Sequence, residues 1–168
     1  MRLFLDIDGV LNTHNQHPNG CGRINPEPVR LLNGILKTLP DLKIVLSSAW
    51  RYSVKNDPEI AQWLLMSHGV DCFKKIEGCT RPDSETWIPF HPWTNEKWSD
   101  YGIPERSRQI LDYNAAGPCK AWVVLDDLDL RLGSPSIPEA NFVKTEPHIG
   151  LTDFEVGDVI AKLLKQAQ

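Results

Sequence analysis

Leu3-Phe-Leu-Asp6-Ile-Asp8-Gly-Val-Leu-Asn12 is the stretch on which the reading of this chain turns. Leu3, Phe4, Leu5 and Ile7 form a short apolar run with strand propensity, and Gly9 ends it. Asp6 and Asp8 stand two residues apart, so in an extended chain both side chains leave the same face at the strand's carboxyl end. Two carboxylates so placed repel each other and resist burial, which calls for a cation or a strongly raised pKa. The simpler reading is a pair of solvated aspartates in an Asp-Gly turn. The motif alone does not choose between these; residues further along the chain do.

Residues 12–25 are polar and read as a loop or short flap. His14, His17 and Cys21 lack the matching second half of a zinc site, so a polar loop is the better reading. Asn25-Pro26 starts a helix, in which Val29, Leu32, Ile35, Leu36 and Leu39 recur at helical spacing until Pro40-Asp41. Residues 42–46 form the next strand, ended by Ser47-Ser48. A strand, helix and strand of these lengths make a right-handed crossover and a parallel pair, which brings Ser47 to the same sheet edge as Asp6.

Asp57-Pro58 opens a second helix, predicted to carry Ile60, Trp63 and Leu64 on one face and to stop at Gly69. Residues 70–76 are predicted as a third strand. Residues 78–103 follow neither period and hold Trp87, Trp93 and Trp98 among Pro82, Pro89 and Pro92. So long a connection is expected to be a functional loop or small lid. Its tryptophans either stack on a base or sugar of the substrate or pack the insertion onto the body. A helix over residues 104–114 follows, and then the continuous apolar run 121–125, a strand buried on both faces that delivers Asp126-Asp127. Residues 141–144 are the last strand. Thr152-Asp-Phe-Glu155 is a capping box before a helix striped by Val156, Val159, Ile160, Leu163 and Leu164.

With 168 residues, 41% hydrophobic and 24% charged, one soluble domain is expected. A net charge of −4 gives no overall attraction to nucleic acid or to an anionic membrane. No signal-peptide pattern or membrane-length apolar run appears. Cys21, Cys72, Cys79 and Cys119 form no CxxC pair, which favours a reduced, cytoplasmic protein. The alternating βα order implies a Rossmann-like α/β sandwich, a parallel sheet of about five strands with helices on both faces. Ligand sites of such sheets lie at the strands' carboxyl ends, where this chain collects Asp6 and Asp8, Ser47, and Asp126 and Asp127. Four carboxylates around one crevice point to Mg²⁺, which takes oxygen ligands and works with phosphates.

On these motifs the chain resembles the haloacid dehalogenase superfamily of phosphotransferases. Asp6-Ile-Asp8-Gly-Val matches its first motif, Lys43-Ile-Val-Leu-Ser47 its second, and Val123-Val-Leu-Asp126-Asp127 its fourth. The resemblance spans most of the chain, leaving out residues 78–103. It is nearest to small-lid members with a Leu-Ser-Ser-x-Trp-Arg second motif, here Leu46-Ser-Ser-Ala-Trp-Arg51, some of which occur in RNA-repair proteins.

The resemblance implies a phosphatase in which Asp6 attacks phosphorus and Asp8 is the general acid and then base. Mg²⁺ is expected on Asp6, Asp8 (through its backbone carbonyl) and an acid of the Asp126–Asp127 pair, with Ser47 bonding a phosphoryl oxygen. Ser48, Arg51, Trp87, Trp93 and Trp98 are the expected substrate contacts. The substrate is a phosphorylated small molecule or an oligonucleotide end, with no membrane partner.

The family's basic residue has three candidates. Lys120 starts the strand that ends at Asp126, roughly 20 Å from the carboxylates. On the preceding helix Arg106 shares a face with Ile110 and Tyr113, whereas Arg108 lies about 200° away, which favours Arg106. A receiver domain is disfavoured, because its phosphorylated Asp ends the third strand and none stands near Glu77-Gly78. A non-catalytic module of the same fold would be expected to lose Asp6 or Asp8, and both are present.

Overall fold

The computed structural model describes residues 1–13, 24–80 and 98–168. Five strands, β1 (Arg2–Leu5), β2 (Lys43–Leu46), β3 (Ile76–Cys79), β4 (Trp122–Asp126) and β5 (Phe142–Lys144), form one all-parallel sheet in the order β3-β2-β1-β4-β5. Among the described residues four helices accompany it: α1 (Pro26–Thr38), α2 (Pro58–Ser67), α3 (Trp98–Ala116) and α4 (Asp153–Ala167). This is the α/β Rossmann-like fold expected from the sequence.

Side-chain alternation sorts the sheet into two cores. Leu3 and Leu5 of β1, Ile44 and Leu46 of β2 and Val123 and Leu125 of β4 pack with Leu32 and Ile35 of α1, Leu65 of α2 and Val159 and Leu163 of α4. Phe4, Val45, Val124 and Phe142 point the other way, onto Ile110 of α3. The chain steps outward from β1 to β3, then returns beside β1 as β4, so the sheet's switch point lies between the carboxyl ends of β1 and β4. A crevice forms at such a point because the flanking connections diverge to opposite faces.

α3 is fixed at its far end by Arg2. This buried side chain pairs with Glu77 of β3 and donates to Asn114 Oδ1 (2.7 Å) and to the Gly117 carbonyl (2.8 Å). Its guanidinium also lies over the rings of Tyr113 (5.3 Å) and Phe4 (5.9 Å). One side chain thus ties the amino end of the sheet to the carboxyl end of α3. α4 opens with the expected capping box: Thr152 Oγ1 accepts from the Phe154 amide, and Glu155 accepts from the Thr152 amide at 2.9 Å.

Three elements differ from the sequence reading. β3 begins only at Ile76, because the chain turns over residues 73–75, with Lys74 at φ +58, before it joins the sheet. Gly78 sits within β3 because the Tyr113 hydroxyl occupies the space a Cβ would need, a tertiary demand that periodicity does not register. α2 buries Ala61 and Leu65, and Leu64 packs partly against the core, while Ile60 and Trp63 are 46% and 66% exposed, so the inner face is turned away from the one expected. α3 starts at Trp98, upstream of Pro104, so residues 78–79 and 98–103 of the expected insertion belong to regular elements. Among the described residues no helix is long and apolar enough to cross a membrane.

Two glycines give a paired test of the packing. Gly34→Ala in α1 meets nothing within 4 Å and should stabilise the protein by about 0.4–1 kcal/mol. Gly78→Ala collides with Tyr113 and should destabilise it by about 1–3 kcal/mol. Urea unfolding of the two variants measures both; effects of the same sign would contradict the packing of α3 on β3.

Candidate active site

Asp6 follows β1 and Asp126 ends β4, and the Asp6 amide donates to the Leu125 carbonyl (3.0 Å), so the two acids are neighbours across the switch point. Asp6 Oδ1 accepts from the Ile7 amide (2.8 Å), and Asp126 Oδ1 accepts from the Leu128 amide (2.9 Å). Each remaining oxygen takes the same donor: Arg106 Nη1 lies 2.6 Å from Asp6 Oδ2 and 2.8 Å from Asp126 Oδ2. Asp127 completes the group, and the three residues offer oxygens that all lie within 4.8 Å of one another. Gly9 makes room for it. A Cβ there would fall 2.5 Å from Asp127 Cγ, and the backbone holds φ +75, which a side chain disfavours.

Among the described residues, the cluster sets three carboxylates about the Arg106 guanidinium. Burial pushes the Asp126 carboxyl up to about 7 despite Arg106, and Asp6 adds to the rise. Burial disfavours the Arg106 charge, but Asp126 and Asp6 outweigh it and the net pKa is raised, so Arg106 stays cationic. A cluster of hard oxygen donors with an excess of negative charge fits a divalent cation such as Mg²⁺ and offers nothing to a thiophilic metal.

Asp8 lies in different surroundings. The chain turns after Ile7, whose carbonyl accepts from the amides of Val10, Leu11 and Asn12, so Asp8 does not continue the strand face of Asp6. Its carboxylate accepts from Asn12 Nδ2 (3.0 Å) and from Trp50 Nε1, which is shared between Oδ1 (3.1 Å) and Oδ2 (3.0 Å). Burial raises its pKa, the Trp50 hydrogen bond opposes that, and the charge on Asp6 reinforces it. The Asp8 side chain is outside the acid cluster, in keeping with an expected metal contact through the backbone carbonyl and not the carboxylate.

Ser47 and Thr80 extend the row across the sheet edge. Ser47 N donates to the Leu5 carbonyl and Thr80 N to the Leu46 carbonyl, placing them level with Asp6 on β2 and β3. Both hydroxyls are buried, and neither has a hydrogen-bond partner among the described residues. A buried hydroxyl without a partner costs on the order of 1–3 kcal/mol, so each calls for a partner such as a ligand oxygen or an ordered water.

Ser48 and Arg51 do not fit the expected role of direct substrate contacts. Ser48 is a buried cap: its Oγ accepts from the Trp50 amide at the start of a short 3-10 helix, Ala49–Tyr52. The buried Arg51 guanidinium donates to the carbonyls of Ser47 and Ser48 (3.0 Å each) and to Gln109 Oε1 of α3 (3.0 Å). Both residues brace the end of β2.

Arg106 therefore faces the acids while Arg108 is exposed. Trp87 and Trp93 lie outside the described residues, and Trp98 is the first residue of α3. Four residues about the site were not singled out from sequence: Asn12, Trp50, Thr80 and Gln109. Asn12 and Trp50 stood inside quoted motifs, but Asp8 and Trp50 are 42 positions apart and nothing local signals their contact. Thr80 would have required the correct end of β3.

The chain also matches a known family. The profile described as "HAD domain in Swiss Army Knife RNA repair proteins" matches residues 2–156. No curated protein and no solved structure gives a significant match. With the match covering nearly the whole chain and the acids, hydroxyl and arginine gathered at one sheet edge, the protein belongs to the haloacid dehalogenase-type (HAD) domains of Swiss Army Knife RNA repair proteins.

Proposed function

We propose that this protein is a Mg²⁺-dependent phosphomonoester hydrolase that works through an aspartyl-phosphate on Asp6. The observation that carries the reading is the separation of two nearby carboxylates into unlike environments. Asp6 lies in the acid cluster against a fixed cation, while Asp8 lies outside it with a raised pKa. Environments that differ in this way are how a site assigns nucleophile and acid to two chemically identical groups.

In the first step an Asp6 oxygen forms a bond to phosphorus, and the bond from phosphorus to the leaving oxygen breaks. The electron pair stays on that oxygen, which takes the proton from Asp8. In the second, water attacks the same phosphorus and gives its proton to Asp8. The Asp6–phosphorus bond breaks, releasing inorganic phosphate and regenerating both acids. Arg106 holds Asp6 in line and offsets charge on the transferring group, and the Ser47 hydroxyl, buried and without a partner among the described residues, is placed to donate to one of its oxygens. Asp6, Asp126 and Asp127, with the Asp8 carbonyl, would hold Mg²⁺, which supplies neutralising charge for the phosphoryl oxygens.

The family description, which names RNA repair, favours a phosphorylated RNA end as substrate. A chain with net charge −4 has little to offer the body of a polyanion, which also favours a terminal phosphate. Kinetic comparison of 3′- and 5′-phosphorylated oligonucleotides with sugar phosphates tests this class. Equal kcat/KM for sugar phosphates and oligonucleotide ends would remove RNA from the proposal.

Hydrolysis of an aryl phosphate should vanish in excess chelator and return with Mg²⁺. Asp6→Asn should abolish turnover in a protein whose circular dichroism is unchanged. Full activity in chelator, or turnover by the Asn variant, would overturn the metal or the nucleophile respectively.

Arg106→Ala should lower kcat by about 10²–10³-fold, the cost typical of a lost transition-state donor. Arg108→Ala should leave turnover of a small substrate nearly unchanged. Steady-state kinetics of the two variants measures the contrast, and the reverse ranking would contradict the assignment of Arg106.

A further inference from the structure

Asp8 stands on the loop beyond β1, where nothing in the strand ladder fixes its side chain. Its two donors differ in kind. Asn12 belongs to the same loop and moves with Asp8, whereas Trp50 comes from the end of β2 and anchors Asp8 to the body of the sheet. The backbone that carries the indole is held in place, and the ring packs partly against the core. Ser48 Oγ accepts the Trp50 amide (3.3 Å), Arg51 grips the two carbonyls just before the 3-10 helix, and His68 beside α2 lies edge-on to the ring at 6.1 Å. Its N–H is shared almost equally by the two Asp8 oxygens, which fixes the carboxyl plane. An indole N–H donates and cannot accept, so Trp50 holds Asp8 without competing for the proton that Asp8 transfers.

We infer that Trp50 is a positioning residue for the acid step: its indole N–H holds the Asp8 carboxyl in the orientation from which it protonates the departing oxygen. The inference rests on the reading of Asp8 as the acid–base group. It predicts a dependence on leaving group that a merely structural tryptophan would lack. A departing p-nitrophenolate is stable without a proton, whereas an alkoxide needs one in the transition state.

The test is kcat/KM, which reports steps up to loss of the leaving group, for p-nitrophenyl phosphate, phenyl phosphate and an alkyl phosphate. The intact protein, Trp50→Phe and Asp8→Asn are compared, with a thermal melt for each. Trp50→Phe should lower kcat/KM on the order of tenfold for the alkyl ester, a part of the full general-acid contribution. It should change the p-nitrophenyl ester by only about twofold. Asp8→Asn should show the same gradient more steeply. Because Trp50 is half-buried, the benzothienyl isostere, which replaces only the N–H by sulfur, is inserted at position 50 if Trp50→Phe does not fold. The isostere should reproduce the gradient. A gradient in Asp8→Asn with equal losses across substrates at position 50 would overturn the role of Trp50 alone. No gradient in Asp8→Asn would overturn the acid assignment, and the inference with it.

Discussion

One guanidinium nitrogen, Arg106 Nη1, donates to Asp6 on one strand end and to Asp126 on the next, and so joins the two acids that the sheet brings together. Burying a carboxylate costs several kcal/mol, and two of them side by side also repel. A single cation in hydrogen-bond contact with both answers each cost at once, at an interaction on the order of 4 kcal/mol per close pair for an effective dielectric near 20. The burden that remains is visible in Asp126, which burial holds near 7.

Together with two further contacts, the Arg106 contact constrains the second half of α3. Near the middle of the helix Arg106 reaches the acids, a turn later Gln109 receives Arg51 from the end of β2, and near the carboxyl end Asn114 receives Arg2 from the start of β1. Three arginines from different elements therefore define the helix's height and rotation, while Ile110 supplies the apolar contact with Phe4 and Val45. Rotation is what matters for chemistry, since two residues along the helix Arg108 is exposed.

The topology does the rest. With β1 in the centre, β2 and β4 on either side lie about 4.8 Å away, so three adjacent strand ends bring Ser47, Asp6 and Asp126 within about 10 Å of each other. Beyond the strand end the chain turns, and that turn is why Asp6 and Asp8, two residues apart, meet different neighbours. The period-two rule would have put them on one face; it applies only while the strand lasts.

The order of elements, the parallel sheet and the acids at its edge were legible in the sequence because they are written locally. Apolar runs announce the buried strands, Thr152 and Glu155 announce a helix start, and Asp6, Ser47 and Asp126 directly follow or end the strands that carry them. The rotation of α3 was legible too, from the spacing of Arg106 and Ile110 on one face. What the sequence could not carry were contacts whose partners are far apart along the chain. Trp50 on Asp8, Arg51 on Gln109, the Tyr113 hydroxyl against Gly78 and Asp127 against Gly9 all depend on how elements dock. The same is true of the face α2 buries, where Ala61 won over Trp63 because space against the sheet, and not hydrophobicity alone, decides which side turns inward. Local pattern fixed which groups arrive at the crevice; only packing in three dimensions decided which of them touch.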